Sequence, residues 1–316
     1  MNFGLPYQGS KNRVAKRLVD ALPAAPVLYD VFCGGCAVTH AAMLSGKYQR
    51  FVVNDRRGWL PDAFREAING GYAHEDRWIS REDFKRLKST DAYAALCFSF
   101  GNNARTYMYA PPLEPYKRAL HYAIFWRDFA PWAALCPETA DALAAGLAPS
   151  EGRKQRRVQA GKFIVESLKQ QLSAGTLTPD ILQKPIYRQI KDTPHRLQCL
   201  QSLESLERLQ SLESLPGALT AHGGDYRELC FDEPGIIYCD PPYMSVYAKG
   251  KDYGCEFDAE AFYSWCEAQK LPVYISEYQM PEDRFVPVAA FTVTRKMDTK
   301  KSSICHEKIW RPRTQL

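Results

Sequence analysis

Residues 27–55 hold the feature that most narrows the choice of fold. An apolar run, Val27-Leu28-Tyr29-Asp30-Val31-Phe32, leads into Cys33-Gly34-Gly35-Cys36-Ala37-Val38 and then a helical pattern through Thr39, Ala42 and Leu44. A second apolar run, Phe51-Val52-Val53-Asn54, ends at Asp55. Strand, glycine-rich turn, helix is the opening of a nucleotide-binding βα unit. Glycines allow the backbone to approach a ligand closely. The turn lacks the GxGxxG fingerprint, so a dinucleotide is only weakly suggested. Asp55 lies about 20 residues past the glycines, where an acidic side chain commonly takes ribose hydroxyls. The alternative is the N-cap of a helix over residues 59–68.

Further strands follow late in the chain. Residues 218–222 read as a strand ending at Gly223-Gly224-Asp225-Tyr226, and residues 235–239 as a short buried one. After the latter come Asp240-Pro241-Pro242-Tyr243. Proline fixes φ and has no N–H, so the carbonyls of Asp240 and Pro241 are held rigidly outside any ladder. One carboxylate and one carbonyl, with a ring close by, suit a planar group bearing an amino substituent. A plain surface turn is the competing reading. Phe257-Asp258 opens a helix through Phe262 and Trp265, residues 272–276 form a strand, and residues 290–294 and 303–310 suit a terminal hairpin. The expected architecture is α/β: a mostly parallel sheet with an antiparallel terminal hairpin, interrupted by a mainly helical insert.

The N-terminal segment carries Pro6-Tyr7-Gln8-Gly9-Ser10-Lys11, with Val14, Leu18, Val19 and Leu22 at helical spacing behind it. Gly9 and Ser10 suit a turn and cap. A lysine at a helix start opposes the dipole, so Lys11 is expected to meet an anion, such as a ligand carboxylate, unless it is simply solvated.

From residue 78 to about 196 helical segments alternate with loops. Phe98-Ser99-Phe100 leads into Gly101-Asn102-Asn103-Ala104-Arg105, followed by Tyr107, Tyr109, Tyr116 and Lys117. Between residues 151 and 196 ten Lys and Arg face four Asp and Glu, with Arg153, Arg156 and Arg157 near the start. Such an excess beside polar aromatics is the footprint of phosphate-backbone contact. A solvated helical face is the alternative. In residues 197–215 leucine recurs every third position. That period drifts around an α-helix. The stretch is expected to be a projecting arm whose leucines pack on the domain or on a partner chain; the oligomeric state stays open.

A net charge of +5 permits a polyanionic partner without demanding one. Ten scattered cysteines with no apparent secretory segment suggest free thiols in a reducing cytoplasm. No run reaches the roughly 18 apolar residues of a membrane span. Cys33 and Cys36 have the spacing of half a zinc site, but no second pair completes it, so no metal is expected.

Taken in order, Pro6 to Lys11, Asp30 to Gly35, Asn54-Asp55, Gly224-Asp225-Tyr226, Asp240 to Tyr243 and Ile275-Ser276-Glu277-Tyr278 resemble the Dam-like, D12 class of DNA adenine-N6 methyltransferases. The resemblance implies a Rossmann-like methyltransferase fold and S-adenosylmethionine as donor. It implies a catalytic domain in two parts, residues 1–75 and 217–316. Between them lie a helical target-recognition insert at 76–196 and the leucine-rich arm at 197–216. Tyr7 and Lys11 would lie near the donor's methionine end. Asp30 with Phe32, Cys33, Gly34 and Gly35 would form the methionine pocket. Asp55 would hold the ribose, and Asp225 with Tyr226 the adenine. Two departures are visible: Gln8 and Ser10 in the first motif, and Cys36 where a glycine or small residue is usual.

The implied partner is double-stranded DNA, in a bacterial or phage restriction-modification setting. Asp240 and the Pro241 carbonyl would each accept one N6–H, Pro242 would stiffen the turn, and Tyr243 would stack on a flipped-out base, with Tyr247 as a second wall. Candidate DNA contacts are Asn102, Asn103, Arg105, Lys117, Arg153, Arg156 and Arg157. The same motif also suits cytosine-N4 methylation. A DNA-binding module with a decayed donor site is the reading from a different class.

Overall fold

The computed structural model describes residues 2–147, 152–192, 198–215, 217–242, 257–298 and 301–316, with side chains left out at 190–192, 293–298 and 301–305. The chain divides into two compact units, one of Met1–Gly71 with Arg208–Leu316 and one of Tyr72–Glu207.

The first unit is built on a sheet. Its N-terminal half runs α1 (Ala15–Ala21), β1 (Val27–Asp30), α2 (Ala37–Ser45), β2 (Arg50–Asp55) and α3 (Trp59–Ile68). The second unit contributes α4 (Arg81–Leu87), α5 (Ala92–Cys97), α6 (Glu114–Phe125), α7 (Ala130–Leu135), α8 (Ala140–Gly146), α9 (Arg153–Ser173), α10 (Pro185–Asp192) and α11 (Gln198–Glu207). The chain then returns to the first unit with β3 (Ala218–Gly223), β4 (Gly235–Cys239), α12 (Ala259–Ala268), β5 (Val273–Glu277), β6 (Phe285–Asp298) and β7 (Lys301–Pro312).

The seven described strands lie in the order β3-β2-β1-β4-β5-β7-β6. The first five are mutually parallel, and β7 runs antiparallel to both β5 and β6. This is a Rossmann-like methyltransferase fold with a terminal hairpin. Central β1 is buried at every residue, as expected for a strand covered on both faces, whereas edge strand β3 has no buried residue. On one face Val27, Tyr29, Ile237, Ile275 and Trp310 pack with Phe262 and Cys266 of α12. From β1 the chain moves outward to β2 on one side, while β4 and β5 extend the sheet on the other. The order therefore switches between β1 and β4, and the crevice beyond their C-terminal ends is where such sheets bind ligands.

Local sequence accounts for several element ends. Ser80, Asp91 and Asp258 each accept a backbone N–H three residues on, capping α4, α5 and α12. Ser10 instead accepts from the Asn12 amide within a turn, and α1 begins later, behind a Val14 cap position without a side-chain bond.

The leucine-rich stretch differs from the expected arm. It splits into α11, in the second unit, and a 3₁₀ turn at Arg208–Leu212, in the first. Leu200, Leu203 and Leu206 are buried on α11, and Leu209 and Leu212 on the turn. Over two steps of three the α-helical drift is only about 120°, so three leucines share a face; in a 3₁₀ turn a spacing of three is eclipsed. The period is thus used by two short elements that each bury it.

Two glycines set how closely α3 approaches the end of β3. A Cβ on Gly223 would lie 2.4 Å from the Gly58 Cα, and one on Gly58 would lie 3.0 Å from the Gly223 Cα. Gly223→Ala should destabilise the protein by about 1–3 kcal/mol in urea unfolding. Gly58→Ala should be milder; equal or reversed effects would mean this contact does not set the spacing.

Candidate active site

The parallel register brings acidic side chains to one edge of the sheet. Asp30 is the last residue of β1, Asp55 of β2 and Glu277 of β5, and Asp240 follows β4 directly. Strand β7 runs the other way, and its Lys308 pairs with Glu277, so Glu307 lies at the same edge.

The glycine-rich loop is tied to its neighbours by backbone groups. The Cys33 amide donates to the Asn54 carbonyl at 2.8 Å, and Asn54 Nδ2 donates to the carbonyls of Val31 at 3.1 Å and Gly224 at 3.3 Å. Asn54 is buried and thereby joins the ends of β1 and β3. The Gly34 amide, at φ +48°, donates to Asp55 Oδ2 at 3.0 Å. Cys36 has φ 56° at the cap position of α2, a left-handed conformation that glycine adopts without strain. The expected departure at this position thus retains a glycine-like backbone. The Leu5 amide donates to the Gly35 carbonyl at 2.7 Å, and the Gly4 amide to His40 Nδ1 at 2.9 Å, which fixes the N-terminal segment over the loop.

Lys11 meets an anion, and that anion is supplied by the protein. Its Nζ lies 2.7 Å from Asp240 Oδ1 and 3.5 Å from Glu307 Oε1. Lys11 and Glu307 are 9% and 4% exposed at the side chain, Asp240 20%. Burial is the largest influence on Asp240 and pushes its carboxyl up to about 6; Lys11 opposes this, while Glu307 and Asp55 add to it. Asp30 is buried and accepts from Thr39 Oγ1 at 2.6 Å. Burial pushes it up to about 7, against the Thr39 bond and with help from Asp240 and Asp55. Asp55 is also raised by burial, opposed by the amides of Arg57 and Gly34 and by the Arg57 charge. The edge thus gathers acids whose carboxyls burial pushes up, answered by Lys11 and Arg57.

The other expected donor contacts lie in the same unit. The Tyr7 hydroxyl accepts from the Arg57 guanidinium, and its ring meets Trp59 edge-on at 6.2 Å. The Phe32 and Tyr226 rings are 5.1 Å apart, within a cluster including Phe257 and Phe262. Asp225 accepts from Arg227 at the backbone amide and at two guanidinium nitrogens, at 2.9, 2.9 and 2.6 Å, and Arg227 holds its carboxyl down to about 2. Pro241 and Pro242 follow Asp240; Tyr243 and Tyr247 lie outside the described residues.

Arg57, Thr39 and Glu307 were not singled out in the sequence. Thr39 had a signal: it falls nine residues after Asp30, where the first turn of a helix returns over its strand. Glu307 is a lone acid in a strand pattern and approaches Lys11 from 296 residues away (307 − 11), which no local spacing reveals.

Three expected DNA contacts need correction. Lys117, Arg156 and Arg157 are buried in the second unit, at 2%, 8% and 8% exposure. Arg156 Nε donates to the Ile124 carbonyl at 2.6 Å, and Arg157 pairs with Glu204 at 2.9 Å. Arg156 and Arg157 thereby tie α9 to α6 and α11, and all three cations are buried away from solvent. Arg153 is engaged as well, with the Ala73 and Glu75 carbonyls, with Glu207 at 2.6 Å and over the Phe125 ring. Asn102 bonds to the Leu96 carbonyl and Ser202, while Asn103 accepts from the amides of Arg105 and Thr106. Arg105 and Phe100 are exposed on this loop.

The Rossmann-like sheet thus carries these acids and Lys11 at its switch-point edge. The family model described as D12 class N6 adenine-specific DNA methyltransferase matches residues 7–104, spanning Tyr7, Lys11, Asp30, the glycine-rich loop and Asp55. The match covers 98 of the 316 residues (104 − 7 + 1) and shows that this stretch is similar to that family. No curated protein matches the chain.

Burying a carboxyl that prefers its proton lowers stability once that proton is lost. The cost contributed by Asp30 therefore grows as pH rises from about 4 to about 7. Asp30→Asn should match the wild type near pH 4 in urea unfolding. It should be more stable by on the order of 3 kcal/mol at pH 8. A difference that does not change with pH would contradict the raised acid.

Proposed function

We propose that the first unit transfers a methyl group from S-adenosylmethionine to N6 of an adenine flipped out of duplex DNA. The carrying observation is the half-buried Asp240 carboxylate, held by Lys11 at the switch-point edge among Asp30, Asp55 and Glu307. S-adenosylmethionine supplies an electrophilic methyl on a sulfonium, and its sulfonium and ammonium charges suit a pocket of desolvated acids. Asp30 and the loop from Phe32 through Cys33 and Gly34 to Gly35 would hold the methionine end, with Tyr7 and Lys11 beside it. Asp55 would take the ribose hydroxyls. Asp225 and Tyr226 would take the adenine, for which Asp225 must share its carboxylate with Arg227.

Adenine N6 is a poor nucleophile because its lone pair is delocalised into the ring. Asp240 Oδ and the Pro241 carbonyl accept its two hydrogens, which favours a pyramidal nitrogen and directs the lone pair outward. Pro242 keeps the turn rigid and Tyr243 stacks on the base. Positioning and electrostatics carry the reaction. The family match favours adenine over cytosine N4. Among the described residues no helix is long and apolar enough to cross a membrane, which accords with a cytoplasmic enzyme acting on DNA.

The helical unit supplies target recognition in this reading. With Lys117, Arg156 and Arg157 buried, phosphate contacts fall to exposed residues: Arg105 on the Phe100 loop and Lys154, Lys162 and Lys169 on α9. Phe100 is 65% exposed, an unusual state for a phenylalanine and one suited to base contact.

Asp240→Ala should bind S-adenosylmethionine in calorimetry yet transfer no tritiated methyl to DNA. Full transfer would sink the mechanism, and absence of donor binding in the wild type would favour a decayed donor site. For DNA, Arg105→Glu should lower the salt slope of duplex binding by about 0.9, and Phe100→Ala should weaken binding about tenfold. Both should leave the melting temperature unchanged; wild-type affinity in both would remove this loop from the interface.

A further inference from the structure

Glu307 has no part in the chemistry assigned so far, yet it is placed to act on it. It is a buried carboxylate on β7, brought to the sheet edge by the Glu277–Lys308 pairing, with Oε1 3.5 Å from Lys11 Nζ. The same ammonium lies 2.7 Å from Asp240 Oδ1. One cation from the N-terminal segment thus sits between two carboxylates from the C-terminal part of the chain.

That arrangement bears on what Asp240 must do. A carboxylate paired one-to-one with a buried ammonium has one oxygen occupied and its basicity suppressed. It is then a weak acceptor for an incoming amine. A second carboxylate on the same ammonium divides the attraction. We propose that Glu307 is a positioning residue for methyl transfer: it shares Lys11 with Asp240 and so keeps Asp240 both oriented and able to accept the target amine. The proposal rests on the reading of Asp240 as the amine acceptor. When the base enters, Lys11 can lean toward Glu307 without becoming an unpaired buried charge.

Several other groups bear on the titration of Asp240. Lys11 favours the ionised form, and Glu307 and Asp55 disfavour it. Asp30 on β1, with Tyr238 and Cys239 on its own strand, also interacts with it. Removing the Glu307 charge therefore has two separable effects. It makes Asp240 easier to ionise, and it leaves Lys11 more firmly on Asp240. A purely structural role for Glu307 would produce neither as a function of pH.

The test is single-turnover methylation of duplex DNA by the full chain across pH 5–9, with the donor saturating. Glu307→Gln should move the acid limb of the rate down by about one pH unit and lower the plateau rate about tenfold, while donor affinity changes about twofold at most. Glu307→Asp keeps the charge, so its acid limb should stay within about 0.3 pH units of wild type. A wild-type limb and plateau in Glu307→Gln overturns the proposal. So does Glu307→Asp behaving like Glu307→Gln, because shape rather than charge would then matter. Should Glu307→Gln fail to fold, Glu307→Asp decides alone: a displaced limb overturns the proposal and a retained one supports it. Asp240→Ala run in parallel separates the two readings. If it retains activity the acceptor assignment itself fails; if it is inactive while Glu307→Gln is normal, only the role of Glu307 fails.

Discussion

The site depends on the hydrogen-bond register of parallel strands β1, β2 and β4. Asp30 pairs with Val53 on one side and Tyr238 on the other, which puts Asp30, Asp55 and Asp240 on one edge within two residues of the same level. A slip of one residue would turn each of these side chains to the other face. The register is set by continuous apolar strands that are buried on both sides. The packing that stabilises the sheet is therefore also what aligns the acids, and neither could be changed without the other.

Aligning acids in a desolvated edge is unfavourable unless something answers their charge. Backbone amides answer Asp55, and a threonine hydroxyl answers Asp30. Lys11 answers Asp240, drawn from a segment that the Gly4 and Leu5 amides pin over the loop. What remains is an excess of buried acid, with Asp30 and Asp240 raised toward neutrality. In the proposed function, that excess is what a cationic nucleoside would answer. Raised carboxyls at a binding edge are a common way to make one protonation state depend on the ligand.

The helical unit shows a different use of charge. Its sequence carries a basic excess that resembles a phosphate-binding face, yet several of those cations are internal struts. Arg156 and Arg157 point at a carbonyl and at Glu204 because a long helix such as α9 presents a new face every residue, and two adjacent arginines here both turn inward. Counting charges along a sequence does not distinguish a guanidinium that ties helices together from one that faces solvent. The leucine period offers a parallel lesson. Its repeat is one-dimensional, but its packing is divided between an α-helix and a 3₁₀ turn.

Much of the fold was legible from local pattern. The strand of Val27 to Asp30, the glycine-rich turn, the helix from Trp59 to Ile68 and the terminal hairpin all follow from apolar periodicity and turn residues acting over a few positions. Asp240 with its two prolines, and Asp55 past the glycines, were visible because each motif is contiguous or lies at a spacing that one βα unit imposes. Tertiary structure alone decided which charges meet. Lys11 is separated from Asp240 and Glu307 by most of the chain, and nothing near any of them states its partners. Their meeting requires the N-terminal segment, β4 and an antiparallel β7 to converge on one edge. Periodicity reports the face a residue occupies; only the assembled sheet determines what it faces.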